Sequence, residues 1–132
     1  MGIIGIGVDI VHLPRISSLI SRRGPQRLAN RILSKRELTD WYKLPSHDLT
    51  RLSQFLAVRW SLKEAAYKAI YPSARPTWKD FTYHAVDHDG NHKPFLVFHP
   101  PEKKIPIGNI HSSVSHDGDY IFTTVLVEDV IP

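Results

Sequence analysis

The chain has 132 residues, the size of one domain, and 42% of them are apolar, which supplies a hydrophobic core without covalent staples. It has no cysteine, so disulfides, thiolate zinc sites and cysteine nucleophiles are excluded. No run of about 18 apolar residues is present, and the first residues lack the basic segment of a signal peptide. We therefore expect a single domain over residues 1–132, no membrane span and an intracellular location, cytoplasmic or, in a eukaryote, mitochondrial.

Charge is distributed unevenly along the chain. Residues 1–75 hold 13 Lys/Arg against 5 Asp/Glu, whereas residues 76–132 hold 4 against 8. A basic half can steer an anionic partner towards the protein, and nucleic acid, an acidic protein and a polyphosphate ligand all fit. The alternative is that these charges lie on exposed helices and only keep the chain soluble.

The first predicted element is a buried strand. Residues 3–11 form a run rich in β-branched side chains. Glycine weakens a strand interior, so Gly5 and Gly7 indicate close backbone packing or the approach of a ligand. An acid, Asp9, stands in this apolar run. A buried carboxylate needs a partner or a cation, whereas an exposed one at the strand end needs neither, and both alternatives remain open.

Helices are predicted next. Ser34 and Glu37 have the spacing of a capping box, with Ser34 as N-cap and Glu37 reaching back to it. Alanines near the end of the longest helix favour close packing. The predicted helices run from Leu13 to the break at Gly24-Pro25, through Leu28 and Ile32, from the Ser34 cap to before Pro45, and from about Asp48 to Ile70, before Pro72.

After a loop at 73–78 the spacing of apolar residues changes to two, which predicts strands. Residues 81–86 and 95–98 flank a turn at 87–91, and residues 110–115 and 120–128 flank a turn at 116–119. One strand, then helices, then a run of strands is the order of an α+β fold. We expect antiparallel strands packed against the longest helix.

The segment Lys63-Glu64-Ala65-Ala66-Tyr67-Lys68 on the longest helix is a candidate for chemistry. Glu64 and Lys68 are four residues apart, so they share a helix face and can form a surface ion pair. Trp60 lies one turn earlier on that face, which argues against a fully wet surface. A carboxylate beside ammonium groups also suits a metal-bound phosphate, because the acid binds Mg²⁺ and lysine neutralises phosphoryl oxygens. By itself the segment favours the ion pair.

Three blocks of the sequence, in this order and spacing, resemble the holo-acyl-carrier-protein synthases, the small 4′-phosphopantetheinyl transferases. They are Gly5-Ile6-Gly7-Val8-Asp9-Ile10-Val11, the helical block from Phe55 to Ala69 that contains Arg59-Trp60-Ser61-Leu62-Lys63-Glu64, and Val114-Ser115-His116-Asp117. Residues 31–38 also resemble the connecting segment of that family. The resemblance covers nearly the whole chain and implies the fold of that family.

The resemblance implies an activity in fatty acid biosynthesis: transfer of 4′-phosphopantetheine from coenzyme A to a serine of an acyl carrier protein, releasing adenosine 3′,5′-bisphosphate. It implies that Asp9 and Glu64 bind Mg²⁺, which would bridge the coenzyme A diphosphate. Glu64 would be the base for the serine, directly or through a metal-bound water. Lys68 would stabilise or protonate the leaving phosphate.

By the same resemblance, several further side chains contact the coenzyme or the carrier protein. The acidic carrier protein is expected to dock on the helix after the first strand, through Arg15, Arg27 and Arg31. The family is typically a homotrimer with active sites between neighbouring chains. The coenzyme contacts implied are Lys63, Lys68, Ser115 and His116, together with Arg59 and Trp60.

Residues 70–76 depart from the family pattern because they contain no glycine. In the family, the backbone usually approaches the coenzyme at this loop; Arg75 can supply a charge contact instead.

Two other functions remain as alternatives. A basic nucleic-acid-binding module should interleave aromatic residues with the basic ones, and residues 12–36 contain no aromatic residue. A metal-dependent phosphohydrolase could use the same pair, Asp9 and Glu64.

Overall fold

The computed structural model describes residues 2–85, 90, 93–102 and 105–130. The predicted order of one strand, helices and then strands is confirmed, and the predicted turn at 87–91 lies outside the described residues except for Gly90. A short 3-10 helix at Trp78–Asp80 was not expected. The elements are β1 (Ile3–His12), α1 (Leu13–Arg23), α2 (Pro25–Ile32), α3 (Lys35–Trp41), α4 (Leu49–Ile70), β2 (Phe81–His84), β3 (Phe95–Phe98), β4 (Ile110–Asp117) and β5 (Tyr120–Glu128).

The described strands form two antiparallel sheets. Three of them are ordered β1-β5-β4, and β2 pairs with β3 separately. In the larger sheet Asp9 is opposite Thr123, which is opposite Val114. Helix α4 packs along β1 and β5, so the expected antiparallel sheet against a long helix is confirmed.

Strand β1 lies unusually close to α4 because of its two glycines. A Cβ on Gly7 would overlap the carbonyl oxygen of Ala65, and a Cβ on Gly5 would overlap that of Ala69. The alanines on α4 in turn leave the helix surface open to the strand. The close backbone packing predicted from the glycines is therefore confirmed, and it brings Asp9, two residues further along β1, next to α4.

Helix α4 contributes to two hydrophobic clusters. One is built around Ile16, Ile32 and Leu56 and holds α1–α3 against the helix, and the other, around Leu62 and Val125, holds the sheet. Each such side chain contributes roughly 1.5–3 kcal/mol on burial. Within the described part of the chain, no helix combines the length and apolarity needed to cross a lipid bilayer.

The face of the larger sheet that points away from α4 is apolar and open to solvent. Side chains alternate along a strand, so the residues next to Gly7 and Asp9 point outwards. Ile6, Val8 and Ile10 are 62%, 48% and 60% exposed, and Phe122 on β5 is 45% exposed. Such a contiguous apolar surface is typical of a protein–protein interface.

Candidate active site

Asp9 is turned towards α4 by the alternation of β1, and its side chain is only 15% exposed. Its Oδ2 is buried and has no hydrogen-bond partner among the described residues. The alternative of an exposed acid at a strand end is therefore wrong. A carboxylate in this position needs a counter-charge.

Lys68 supplies part of that counter-charge from the last turn of α4. Its Nζ donates to the carbonyl oxygen of Val8 at 2.9 Å and lies 3.4 Å from Asp9 Oδ1. The Lys68 side chain is 52% exposed, so it can still reach a ligand. The ion pair expected between Glu64 and Lys68 is not among those formed by the described residues; Lys68 bonds across to β1 instead.

Glu64 lies one turn before Lys68 and is half-buried. Burial and the nearby Asp9 carboxylate raise the pKa of Glu64, while the charges of Lys68 and Arg15 lower it. The carboxylates of Asp9 and Glu64 are 55 positions apart in the chain, and the Lys68 ammonium group is 59 positions from Asp9. The three charges thus share one electrostatic environment. The structure brings together Asp9, Glu64 and Lys68.

These donors fit a magnesium ion. Mg²⁺ prefers oxygen ligands, is bound through one or two carboxylates, and keeps waters and substrate phosphates as its other ligands. Asp9 offers a buried oxygen without a partner, and a divalent cation would relieve the repulsion between Asp9 and Glu64. No cluster of three or more His, Asp or Glu side chains able to hold a metal occurs among the described residues, so further ligands would come from solvent or substrate.

Trp60 and Arg15 form one border of this site. The Trp60 ring packs on Trp78 with 5.2 Å between ring centroids, and the Arg15 guanidinium lies 5.7 Å from the Trp60 ring centroid. Arg15 also acts electrostatically on Glu64. Arg15 therefore lies beside the carboxylates and not only on the helix surface where docking was expected.

A cavity of about 340 Å³ opens next to Glu64. One wall is the part of α4 that carries Lys63, Glu64 and Tyr67. The other is the segment Pro76–Trp78 with Phe81 at the start of β2. The cavity is lined mainly by apolar surface, with the acid at its edge. Such a mixture is typical of small-molecule sites.

Lys63 and Arg59, for which coenzyme contacts are expected, are both held by contacts inside the protein. The Lys63 side chain is 1% exposed, and its Nζ donates to Glu37 Oε1 and to the carbonyl oxygens of Ile32 and Trp78, at 2.5, 2.8 and 3.0 Å. An ammonium group has three donors, and all three are used. Arg59 is also buried, stacked on Phe55. Both side chains belong to an interior network, and Lys63 also lines the cavity beside Glu64, so the coenzyme contacts expected for them stay predictions.

Glu37 is the centre of that network, and its importance was missed in the sequence. The predicted capping box is confirmed, since Ser34 N donates to Glu37 Oε1 at 2.8 Å and Glu37 N donates to Ser34 Oγ at 3.3 Å. The same carboxylate accepts from Tyr83 N at 2.9 Å and lies 3.9 Å from Arg59 Nε. The capping spacing was the only sequence signal, and it does not reveal partners on α4 and β2.

Ser115 and His116 lie near the end of β4, which is separated from β1 by β5. Ser115 is opposite Phe122, which is opposite Ile10, and these residues line a cavity of about 360 Å³ with His116. That row points away from α4, whereas Asp9 points towards it. Ser115 therefore faces away from the carboxylates, whereas His116 is opposite Ile121, which is opposite Val11, in the register of the face that carries Asp9.

The remaining expected partner residues are exposed. Arg27 and Arg31 are four residues apart on α2 and share a helix face, and Arg15 is exposed on α1. The helices that carry these arginines are adjacent in the fold, so the basic half of the sequence presents charge to solvent.

The chain is similar to known proteins over nearly its whole length. The family model of the 4′-phosphopantetheinyl transferase superfamily matches residues 5–125. A holo-[acyl-carrier-protein] synthase of Erwinia tasmaniensis is 37% identical over 132 residues, covering 97% of this chain and 99% of that protein. The holo-[acyl-carrier-protein] synthase structure from Neisseria meningitidis is 30% identical, with a TM-score of 0.77 and coverage of 96% and 99%. The corresponding Bacillus anthracis structure, in complex with CoA (3′,5′-ADP), is 27% identical, with a TM-score of 0.75 and coverage of 98% and 99%.

Proposed function

The chain belongs to the 4′-phosphopantetheinyl transferase superfamily as a holo-[acyl-carrier-protein] synthase, and we propose that Asp9, Glu64 and Lys68 carry out its reaction. The substrates are coenzyme A and the serine hydroxyl of an apo-acyl carrier protein, and the second product is adenosine 3′,5′-bisphosphate. The meeting of the Asp9 and Glu64 carboxylates beside Lys68, at the edge of a cavity, carries this proposal. Residues 1–132 would form one transferase domain.

Each side chain has a separate task in the transfer. The serine oxygen forms a bond to the phosphorus that carries pantetheine, and the bond from that phosphorus to the leaving adenosine bisphosphate breaks. Glu64 accepts the serine proton, and its half-buried position beside Asp9 favours that role. Lys68, held against the Val8 carbonyl oxygen, stabilises or protonates the leaving phosphate. Asp9 and Glu64 would hold Mg²⁺, which would offset charge on the diphosphate.

The acyl carrier protein is proposed to dock on the arginines of α1 and α2. Arg15 supports this best, because it is exposed and also lies beside Trp60 and Glu64. Arg27 and Arg31 would extend the basic surface. Such charges act mainly on the association rate, which should fall as salt is added.

We propose that further copies of the chain cover the apolar outer face of the larger sheet, with the homotrimer of the family as the assembly. Two features support this. Ile6, Val8 and Ile10 are exposed on that face. Ser115 also points to that face, and Ser115 and His116 line a cavity there with Ile10 and Phe122. A neighbouring chain could therefore bring its Ser115 and His116 to the coenzyme phosphates.

Incubation of the purified protein with coenzyme A, Mg²⁺ and an apo-acyl carrier protein tests the reaction. A mass gain of one phosphopantetheine on the carrier supports the proposal. Release of adenosine bisphosphate without labelling of the carrier would indicate a phosphohydrolase at the same site. Neither product, with retention of the protein on nucleic acid, would indicate the binding module.

A further inference from the structure

The two walls of the cavity beside Glu64 come from different parts of the chain. One wall is a part of α4, and the other is the segment 76–78 with Phe81. The second wall contains the short 3-10 helix, whose first turn is closed by Thr77 N donating to Asp80 Oδ2 at 2.8 Å. The width of the cavity therefore depends on the contacts that join this 3-10 helix to α4.

A buried carboxylate on α3 makes that connection. Glu37 Oε1 accepts from Lys63 Nζ, and the same ammonium group donates to the Trp78 carbonyl oxygen at 3.0 Å. Glu37 Oε2 accepts from Tyr83 N at 2.9 Å, two residues after Phe81. Its two oxygens thus hold a residue of the α4 wall and the strand that leaves the opposite wall.

The second wall is also anchored to the start of α3. Thr82 Oγ1 donates to Ser34 Oγ at 2.7 Å, and Ser34 is the N-cap whose capping box Glu37 completes. Lys79 Nζ donates to the carbonyl oxygen of Leu33, just before that cap. The Glu37 carboxylate is therefore the point at which α3, the second wall and α4 meet.

Glu37 can affect a ligand in the cavity only through its neighbours. The Glu37 side chain is 0% exposed, whereas Lys63, with which it is paired, lines the cavity. Hydrogen bonds between charged groups are short and directional, so this pair holds Lys63 against the Trp78 carbonyl oxygen more exactly than apolar packing would. A buried pair adds little net stability over apolar residues of the same size, which leaves the fixing of one arrangement as its contribution here.

We propose that Glu37 is a positioning residue for the transfer: it sets the width of the cavity beside Glu64 and thereby the affinity for coenzyme A. This inference rests on the proposed function, in which coenzyme A is the small substrate that must lie next to Glu64. Without the Glu37 carboxylate, the Lys63 ammonium group and the 3-10 helix are free to move apart. Glu64 and Lys68 stay in place, because the close packing of α4 on β1 fixes them. Affinity should therefore change and chemistry should not.

Calorimetric titration of coenzyme A, with Mg²⁺ and without a carrier protein, measures this affinity. We expect Glu37→Gln to weaken binding on the order of tenfold. Glu37→Asp keeps the charge but is one methylene shorter, so it cannot reach Lys63 and Tyr83 together, and we expect a weakening of roughly threefold. Circular dichroism checks that each variant is folded. If Glu37→Gln does not fold, the milder Glu37→Asp decides the outcome.

Leu52→Ala is the control for lost stability alone. Leu52 is buried on α4, eleven residues before Lys63, which is a rise of about 16 Å along the helix. Truncation of a buried leucine costs about as much stability as breaking a buried ion pair, so urea unfolding should give similar losses for Leu52→Ala and Glu37→Gln. Leu52→Ala should nevertheless bind coenzyme A like the unmodified protein.

Steady-state transfer assays separate a change of affinity from a change of chemistry. Both Glu37 variants should raise the KM for coenzyme A and leave kcat nearly unchanged. Unchanged affinity in both variants, an equal loss in Leu52→Ala, or a fall of kcat with an unaltered KM would overturn the positioning role and leave the proposed function intact. Failure of the unmodified protein to label any carrier would count against the proposed function itself.

Discussion

Glu37 and Lys63 form an ion pair inside the protein, between α3 and α4. Lys63 Nζ lies 2.5 Å from Glu37 Oε1, and the two side chains are 1% and 0% exposed. Burial lowers the pKa of Lys63, and the Glu37 carboxylate opposes that shift. Because Arg59 lies 3.9 Å from the other carboxylate oxygen, Glu37 balances two buried cations. The charge balance of this interior therefore depends on Glu37.

Removal of the Glu37 charge should destabilise the protein more than removal of the Lys63 charge. Glu37→Gln leaves Lys63 and Arg59 buried without a carboxylate, and breaking a buried pair in this way costs about 3–5 kcal/mol. Lys63→Met leaves Glu37 near Arg59, with the amides of Ser34 and Tyr83 still donating to it. We expect its loss to be smaller. Urea unfolding gives both free energies of unfolding.

The surface pair Lys43–Asp40 is the control for this comparison. Its atoms are 4.0 Å apart, and the side chains are 75% and 42% exposed. Lys43→Ala should change the free energy of unfolding by less than about 1 kcal/mol. A loss for Lys63→Met as large as that for Glu37→Gln would show that Glu37 is not the group that balances the buried charge.

The fit between β1 and α4 predicts a second effect on stability. Gly7→Ala places a methyl group where the Ala65 carbonyl oxygen lies, so strand and helix must separate. Overpacking of this kind costs about 1–3 kcal/mol, and it moves Asp9 away from Glu64. We expect a lower melting temperature together with weaker Mg²⁺ binding by calorimetry. Gly2→Ala is the control, since its Cβ would make only ordinary contacts, at 3.7 Å or more; a Gly7→Ala protein as stable as Gly2→Ala would contradict this packing.

Those features of the fold that depend on neighbouring residues could be predicted from the sequence. The Ser34 cap and the glycines of β1 each follow from local backbone chemistry, and α4 was expected within one residue of its observed limits. The separation of β2–β3 from the larger sheet could not be predicted, because strand pairing is decided by distant residues. For the same reason, the sequence pattern alone did not decide whether the Asp9 carboxylate is buried or exposed.

The position of Lys63 shows why site residues are harder to predict. Lys63 and its neighbour Glu64 both line the cavity, but the Lys63 ammonium group turns inwards to Glu37. Helix α4 has buried residues on several sides, and its apolar spacing therefore does not identify one exposed face. The phosphate contact expected for Lys63 is implied by the resemblance to the family, and the sequence pattern does not reveal its ion pair with Glu37. Three-dimensional contacts with Glu37 decide its role.

Loss of the Glu64 carboxylate should abolish transfer without unfolding the protein. Glu64→Gln removes the proposed base and metal ligand, and loss of such a base lowers rates by about 10²–10⁴-fold. It also removes the repulsion of Asp9, so the free energy of unfolding should be unchanged or slightly higher without Mg²⁺. Mass spectrometry of the carrier and urea unfolding measure the two effects. Glu102→Gln, which changes an exposed acid, is the control and should change neither the turnover nor the free energy of unfolding. Near-normal turnover of Glu64→Gln would remove Glu64 from the mechanism.

Charge reversal on α2 should affect the carrier protein and not the coenzyme. Arg27→Glu with Arg31→Glu should raise the KM for the carrier about tenfold or more and leave the KM for coenzyme A unchanged. These two positions separate docking from chemistry better than Arg15, which lies beside Glu64. The effect should shrink as salt is added, because exposed charges are screened. Arg51→Glu, an exposed reversal on α4, is the control; an equal rise in both KM values would contradict docking on α2.

We expect a charge placed on the apolar outer face of the larger sheet to abolish assembly and activity together. We expect sedimentation velocity to show an oligomer for the unmodified chain and a monomer for Ile6→Glu, because a charge would then be buried in the interface. Leu49→Glu is the control, since Leu49 is also an exposed apolar residue, at 43%, but lies at the start of α4. If Ser115 and His116 act on a neighbouring chain, the Ile6→Glu monomer should retain its fold by circular dichroism and lose transfer. A monomeric unmodified chain with full activity would show that one copy completes the site by itself.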